Sequence, residues 1–116
     1  AAALKEIIYD HTLVTPAVLD RSNRNRQRED MITPLMSLRD SLPLWEQHFA
    51  PRLKEIRHPT LILWGEQDRL FPPQVGRDLQ TTIPQARLIM IPEAGHIPQW
   101  EQPQVVNRHI TEFLQP

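Results

Sequence analysis

The chain has 116 residues, 13 basic and 14 acidic side chains for a formal charge of −1, and no cysteine. The near-balance removes the electrostatic case for nucleic acid or an anionic membrane surface. No apolar run approaches the roughly 20 residues of a spanning helix, and the absence of a disulfide framework is compatible with a cytoplasmic location, which is the one expected.

Ala2 to Tyr9 is expected to form a short helix with Leu4, Ile7 and Ile8 on one side. Thr15-Pro16 is a helix start, a capping hydroxyl followed by proline at the first helical position, and that helix should run to about Arg28. Thr33-Pro34 repeats the pattern, and Leu35, Leu38 and Leu42 then follow at helical spacing until Pro43. Trp45 to Leu53 adds a further turn or two leading into Ile56. Beyond this helical half the pattern changes. Leu61 to Trp64 and Leu88 to Ile91 are apolar runs without alternation, which suits parallel strands covered on both faces. Gln74 to Thr82 is expected as the crossover helix, with Val75 and Leu79 facing the sheet. Pro103 opens a last helix, whose Val106, Ile110, Phe113 and Leu114 form an apolar stripe at the helix period.

Each strand ends in a glycine turn that delivers a side chain capable of proton chemistry. The first gives Gly65-Glu66-Gln67-Asp68 and the second Glu93-Ala94-Gly95-His96. In open parallel sheets functional groups sit just beyond the carboxyl ends of the strands, so Asp68 and His96 are expected to share an address. Taken alone, an aspartate after a strand often bonds its own backbone to make a turn, and a loop histidine can simply hydrogen-bond its surroundings. The two motifs together favour an acid–base pair.

These residues carry a resemblance. The stretch from Ile56 to Pro116 resembles the C-terminal part of an α/β-hydrolase. It has an apolar strand ending Gly-x-x-Asp at Gly65 to Asp68, then Phe71-Pro72, and Gly-His-x-x-x-x-Glu-x-Pro at Gly95 to Pro103. Leu13 to Glu29 resembles a helix of the lid that many members insert before the acid-bearing strand. Asp10 to Thr15 and Trp100 point towards lidded hydrolases of carbon–carbon or ester bonds. The resemblance implies an α/β fold with a lid segment at 1–50 and a core segment at 51–116. It also implies that Asp68 and His96 are the acid and histidine of a Ser-Asp-His triad, with a small-molecule substrate and neither cofactor nor metal.

The family's nucleophile sits on a Gly-x-Ser-x-Gly elbow that precedes the acid. No glycine occurs before Gly65, and the only serines, Ser22, Ser37 and Ser41, stand in contexts that suit helix-surface or capping positions. Two strands that are apolar on both faces also need neighbours on both sides. The chain opens Ala1-Ala2-Ala3, as an internal start would. A segment of a larger hydrolase is therefore expected, with the missing N-terminal part as its partner, a homo-oligomer left open, and the isolated chain inactive. The alternatives are a first half that folds back over the sheet, or a non-catalytic, truncated or degenerate α/β-hydrolase-like binding module.

Phe71, Ile97 and Trp100 lie near the two strand-end loops, where they either line a pocket for an apolar substrate or belong to the core. Glu101 and Pro103 are expected to serve the start of the last helix, a carboxylate favouring the positive end of its dipole. Arg21, Arg24, Arg26 and Arg28 could form an anion site, but Asp20, Glu29 and Asp30 offset them and a solvated helix face is the simpler reading. His11, His48, His58 and His109 show no metal-ligand spacing.

Overall fold

A computed structural model describes residues 2–115, with the side chains of Ala2, Ala3, Glu29, Met31, Ile32 and Leu35 outside the description. The expectations resting on Ala1, on Pro116 and on the packing of Leu35 lie outside the described residues. The helical half comprises α1 (Ala2–Ile7), a 3-10 turn at His11–Leu13, α2 (Pro16–Arg26) and α3 (Glu29–Leu44). A π turn at Trp45–Phe49 and a 3-10 segment at Ala50–Glu55 follow. The second half comprises β1 (Thr60–Gly65), α4 (Pro73–Thr82), β2 (Ala86–Ile91), α5 (Pro98–Glu101) and α6 (Pro103–Leu114).

The strands pair in parallel as expected, in a register running from Thr60 opposite Ala86 to Gly65 opposite Ile91. α4 makes the crossover, and Trp64 fixes where it sits. The indole nitrogen of Trp64 donates to the Phe71 carbonyl at 3.0 Å. Its ring lies only 3.1 Å from the place a Cβ on Gly76 would occupy. The buried position on α4 is therefore Gly76, while Val75, expected to face the sheet, is 36% exposed and Leu79 is half-buried. On α6, Val106 is buried against Ile91 and Ala94, with Leu63, Ile89 and Val105 packed around them. Ile110 and Leu114 at the far end of the expected stripe are exposed, because a two-stranded sheet is too narrow to cover the whole helix face.

In the helical half, Thr15 caps α2 as its sequence predicts, its hydroxyl oxygen accepting from the Val18 amide at 3.3 Å. The helix stops at Arg26, slightly short of Arg28. Arg24 pairs with Asp20 and Arg28 with Asp30 (Nε–Oδ1 2.9 Å), and all four side chains are mostly exposed, so the arginine cluster is a solvated face. Thr33-Pro34 is not a helix start. α3 begins at Glu29 and runs through both Pro34 and Pro43, forgoing an amide bond to the carbonyl four residues back at each. Just after Pro43 the spacing loosens, and the Ala50 amide reaches back five residues to the Trp45 carbonyl. Proline interruptions of this kind commonly displace the ladder rather than end the helix when packing or π turns re-satisfy the backbone.

Burial is thin for the chain's size. The accessible surface is 8556 Å², whereas a compact monomer of this mass exposes roughly 6,600 Å². The Cα radius of gyration is 16.4 Å, against roughly 13.4 Å for a compact domain of this length. The strands themselves are half-buried at Leu61, Ile62, Leu63 and Trp64. Leu38, Leu42, Leu44, Trp45 and Phe49 are each about half exposed or more. These faces are apolar and lack covers among the described residues. The purified 116-residue chain is accordingly expected to associate on size-exclusion chromatography and to melt without a sharp transition. A compact monomer with a cooperative melt would show instead that this small core suffices.

Candidate active site

The two strand-end loops are zipped together beyond the sheet. The Glu66 amide donates to the Ile91 carbonyl at 3.0 Å, and the Gln67 amide to the Ala94 carbonyl at 2.9 Å. The Gln67 side-chain oxygen returns the contact by accepting from the Ala94 amide at 3.0 Å. Gly65 makes this approach feasible, since a Cβ there would stand 2.0 Å from the Gly95 carbonyl oxygen and 2.4 Å from that of Ala94. Glu93 turns the second loop with φ of 54°, a left-handed conformation that costs a non-glycine residue about 1–3 kcal/mol. The side-chain amide of Gln102 donates to its carbonyl at 3.1 Å and holds it there.

The zipped loops bring Asp68 and His96 together. Asp68 is buried and divides its oxygens between two tasks. Oδ1 accepts from the Leu70 and Phe71 amides at 2.9 and 3.0 Å, which is the ordinary turn. Oδ2 faces His96 Nδ1 at 3.0 Å. An ionised carboxylate only accepts, so Nδ1 carries the proton and Nε2 keeps its lone pair. The carboxylate is 5% exposed and the imidazole 31%. Nε2 has no hydrogen-bond partner among the described residues. Such a pair can take a proton at Nε2 while the buried carboxylate stabilises the resulting imidazolium.

A cleft of about 160 Å³ opens beside the pair, lined by Leu63, Trp64, Gly65, Asp68, His96, Pro98 and Gln99. Phe71 stands next to the imidazole, ring centroids 5.5 Å apart and tilted by 45°. Ile97 and Trp100 lie on the turn that starts α5, where the Ile97 carbonyl accepts from the Trp100 amide at 2.9 Å, and neither lines the cleft. Pro98 and Gln99, absent from the sequence reading, form its wall. The cleft is smaller than the roughly 300–1,000 Å³ of complete ligand sites.

Glu101 is the largest departure from expectation. It does not serve the α6 dipole but is buried, with Oε1 accepting from the Gly95 amide at 2.8 Å and Oε2 from the Tyr9 amide at 2.6 Å. Local pattern could not reveal a partner 92 positions away. The signal available was a carboxylate set among Trp100, Pro98 and Pro103 in a motif that already contained the histidine. Ser22, Ser37 and Ser41 lie on α2 and α3, Ser41 donating to the Ser37 carbonyl at 2.7 Å, and none lines the cleft. His11, His48 and His58 are exposed and His109 is half-buried. Among the described residues no three potential metal ligands converge, and no helix is long and apolar enough to cross a membrane.

The family model described as alpha/beta hydrolase fold matches residues 5–103. The chain belongs to the alpha/beta hydrolase fold family. Similar relatives include a 2-hydroxy-6-oxononadienedioate/2-hydroxy-6-oxononatrienedioate hydrolase of Comamonas testosteroni, 32% identical over 96% of this chain and 39% of its own length. A 2-hydroxy-6-oxo-6-phenylhexa-2,4-dienoate hydrolase of Burkholderia cepacia is 33% identical with the same coverage. The solved structure of a meta-cleavage product hydrolase from Pseudomonas fluorescens superposes with a TM-score of 0.76 and 25% identity, covering 95% of this chain and 42% of that one. The chain thus spans about two fifths of the hydrolases it matches, and its parallel strands and helices are the C-terminal part of the alpha/beta hydrolase fold.

The geometry makes Gly65 the point where a single methyl should do most damage. Gly65→Ala is expected to cost at least about 1–3 kcal/mol, because two backbone carbonyls would have to retreat. Urea denaturation of the alanine variant beside the unsubstituted protein checks it, and an unchanged midpoint would show that the loops part at no cost.

Proposed function

We propose that this chain supplies the acid and the general base of a hydrolase acting on an ester or carbon–carbon bond of a small, largely apolar substrate. The nucleophile, a serine, would come from sequence outside this chain, and the whole would work as one enzyme. The observation that carries the reading is the contact of 3.0 Å between buried Asp68 Oδ2 and His96 Nδ1 at the carboxyl ends of adjacent parallel strands. The names of the relatives, hydrolases of 2-hydroxy-6-oxo dienoates and dienedioates, support a hydrolase of a small-molecule substrate.

In this reading Nε2 of His96 takes the serine proton as the hydroxyl attacks the substrate carbonyl, then delivers it to the leaving oxygen or carbon. Water repeats the cycle on the acyl-enzyme. Asp68 holds the imidazole in the tautomer the step needs and stabilises its charged form without accepting the proton. Backbone amides outside this chain would hold the oxyanion. Phe71 would keep the imidazole from rotating, and Leu63, Trp64 and Pro98 would give the cleft its apolar wall. Residues 1–50 would form the lid. Its groove between Leu38, Ser41, Leu42, Leu44, Trp45 and Phe49 offers apolar surface to cover a substrate. A cleft too small for a whole ligand fits a site completed by the remaining part of the protein.

Hydrolysis of a short-chain activated ester by the enzyme containing this chain tests the proposal. His96→Ala is expected to lower turnover by about 10⁴-fold or more, since members of such a unit fail together. Asp68→Asn should cost on the order of 10⁴-fold by favouring the wrong tautomer. Turnover undiminished in His96→Ala would sink the assignment of the base.

A further inference from the structure

We propose that Glu101 is a positioning residue that latches the segment Ile7–Asp10 onto the histidine loop, so that the helical half and His96 are held as one unit. The proposal rests on the reading of His96 as general base. Glu101 ends α5, five residues after His96, and the residue is 9% exposed. Oε1 accepts from the Gly95 amide at 2.8 Å. Oε2 accepts from the Tyr9 amide at 2.6 Å and the Asp10 amide at 3.3 Å. The return contact is direct: the His96 amide donates to the Ile7 carbonyl at 2.7 Å. Ile8, between the two bonded residues, is among the most deeply buried side chains of the chain at 2% exposure. Gly95 again has no room for a side chain, since a Cβ there would lie 2.5 Å from the Ile7 carbonyl oxygen and 3.0 Å from the Tyr9 nitrogen.

This arrangement is more than a turn closing on itself. A buried carboxylate is costly unless it is fully hydrogen-bonded, and three amides from two distant segments share this one. Removing the carboxylate leaves those amides without an acceptor and frees both segments together. The backbone leading into His96 is held at two successive amides, that of Gly95 by Glu101 and that of His96 itself by the Ile7 carbonyl. Asp68 fixes only the ring. An imidazole whose backbone drifts by a fraction of an ångström loses its line to the nucleophile even while Asp68 remains bound, and a displacement near 1 Å costs about 10²-fold in rate.

The test uses the enzyme containing this chain, with Glu101→Gln, Glu101→Ala, Gly95→Ala and His96→Ala. Glu101→Gln keeps the shape but turns an amide donor towards an amide donor, so it reports on the latch where the alanine variant fails to fold. In Glu101→Gln and Gly95→Ala, kcat on an activated ester should fall about 10²-fold with KM within about twofold. Amides of Tyr9, Asp10, Gly95 and His96 should exchange hydrogen faster by roughly tenfold as a group, while those of Leu61–Trp64 stay protected. A folded Glu101→Gln enzyme with parental kcat overturns the proposal. So does faster exchange confined to Gly95, which would make the carboxylate a local cap. Undiminished turnover in His96→Ala would overturn the assignment of the base instead, and the exchange pattern, which needs no activity, keeps the two failures apart.

Discussion

The backbone crossing at Gly65 is the constraint on which the rest depends. Parallel pairing of β1 and β2 fixes the strand register, but it is the continued contact of Gly65 and Gln67 with Ala94 and Gly95 that carries the register past the strand ends. Side chains that leave two loops independently would meet only by chance. Here the loops are one braced unit, and Asp68 and His96 emerge from it a hydrogen bond apart. The strained Glu93 and its support from Gln102 belong to the same brace, which fits the tendency of strained backbone to collect where function is proposed.

Much of this was legible in the residues themselves. Unbroken apolar runs announced the two parallel strands, and a glycine turn after each announced where Asp68 and His96 would meet. Thr15-Pro16 announced α2, because capping is a matter of neighbouring atoms. What could not be read was long-range or competitive. Thr33-Pro34 carries the same capping chemistry as Thr15-Pro16, yet α3 starts at Glu29 and accepts two prolines, because the residues before Thr33 are already helical and leave it no extended cap conformation. Gly76 rather than Val75 faces β1 because of the size of Trp64, a matter of shape that periodicity does not encode. The part of Glu101 depended on Tyr9 and Asp10, at the other end of the chain.

The helical half illustrates how the two parts of the chain differ in what holds them. The second half is tied by a sheet, a small core of Ile91, Ala94 and Val106, and side-chain bonds to backbone. α2 rests on its Thr15 cap and α3 has no side-chain cap; both carry exposed ion pairs, and α3 turns apolar side chains outwards. Exposed pairs of that kind are screened by solvent and contribute little. The Ile7–Asp10 segment is where the helical half joins the histidine loop, through the Glu101 carboxylate and the His96 amide.

The central claim is that Asp68 fixes the tautomer of His96, and locating the ring proton tests it most directly. Long-range proton–nitrogen NMR on the protein distinguishes the two ring nitrogens of the neutral imidazole. The account predicts a protonated Nδ1 and an unprotonated Nε2 in the neutral ring. A neutral His96 with its proton on Nε2 and a bare Nδ1 would contradict it, because the carboxylate beside Nδ1 would then be making no hydrogen bond to the ring.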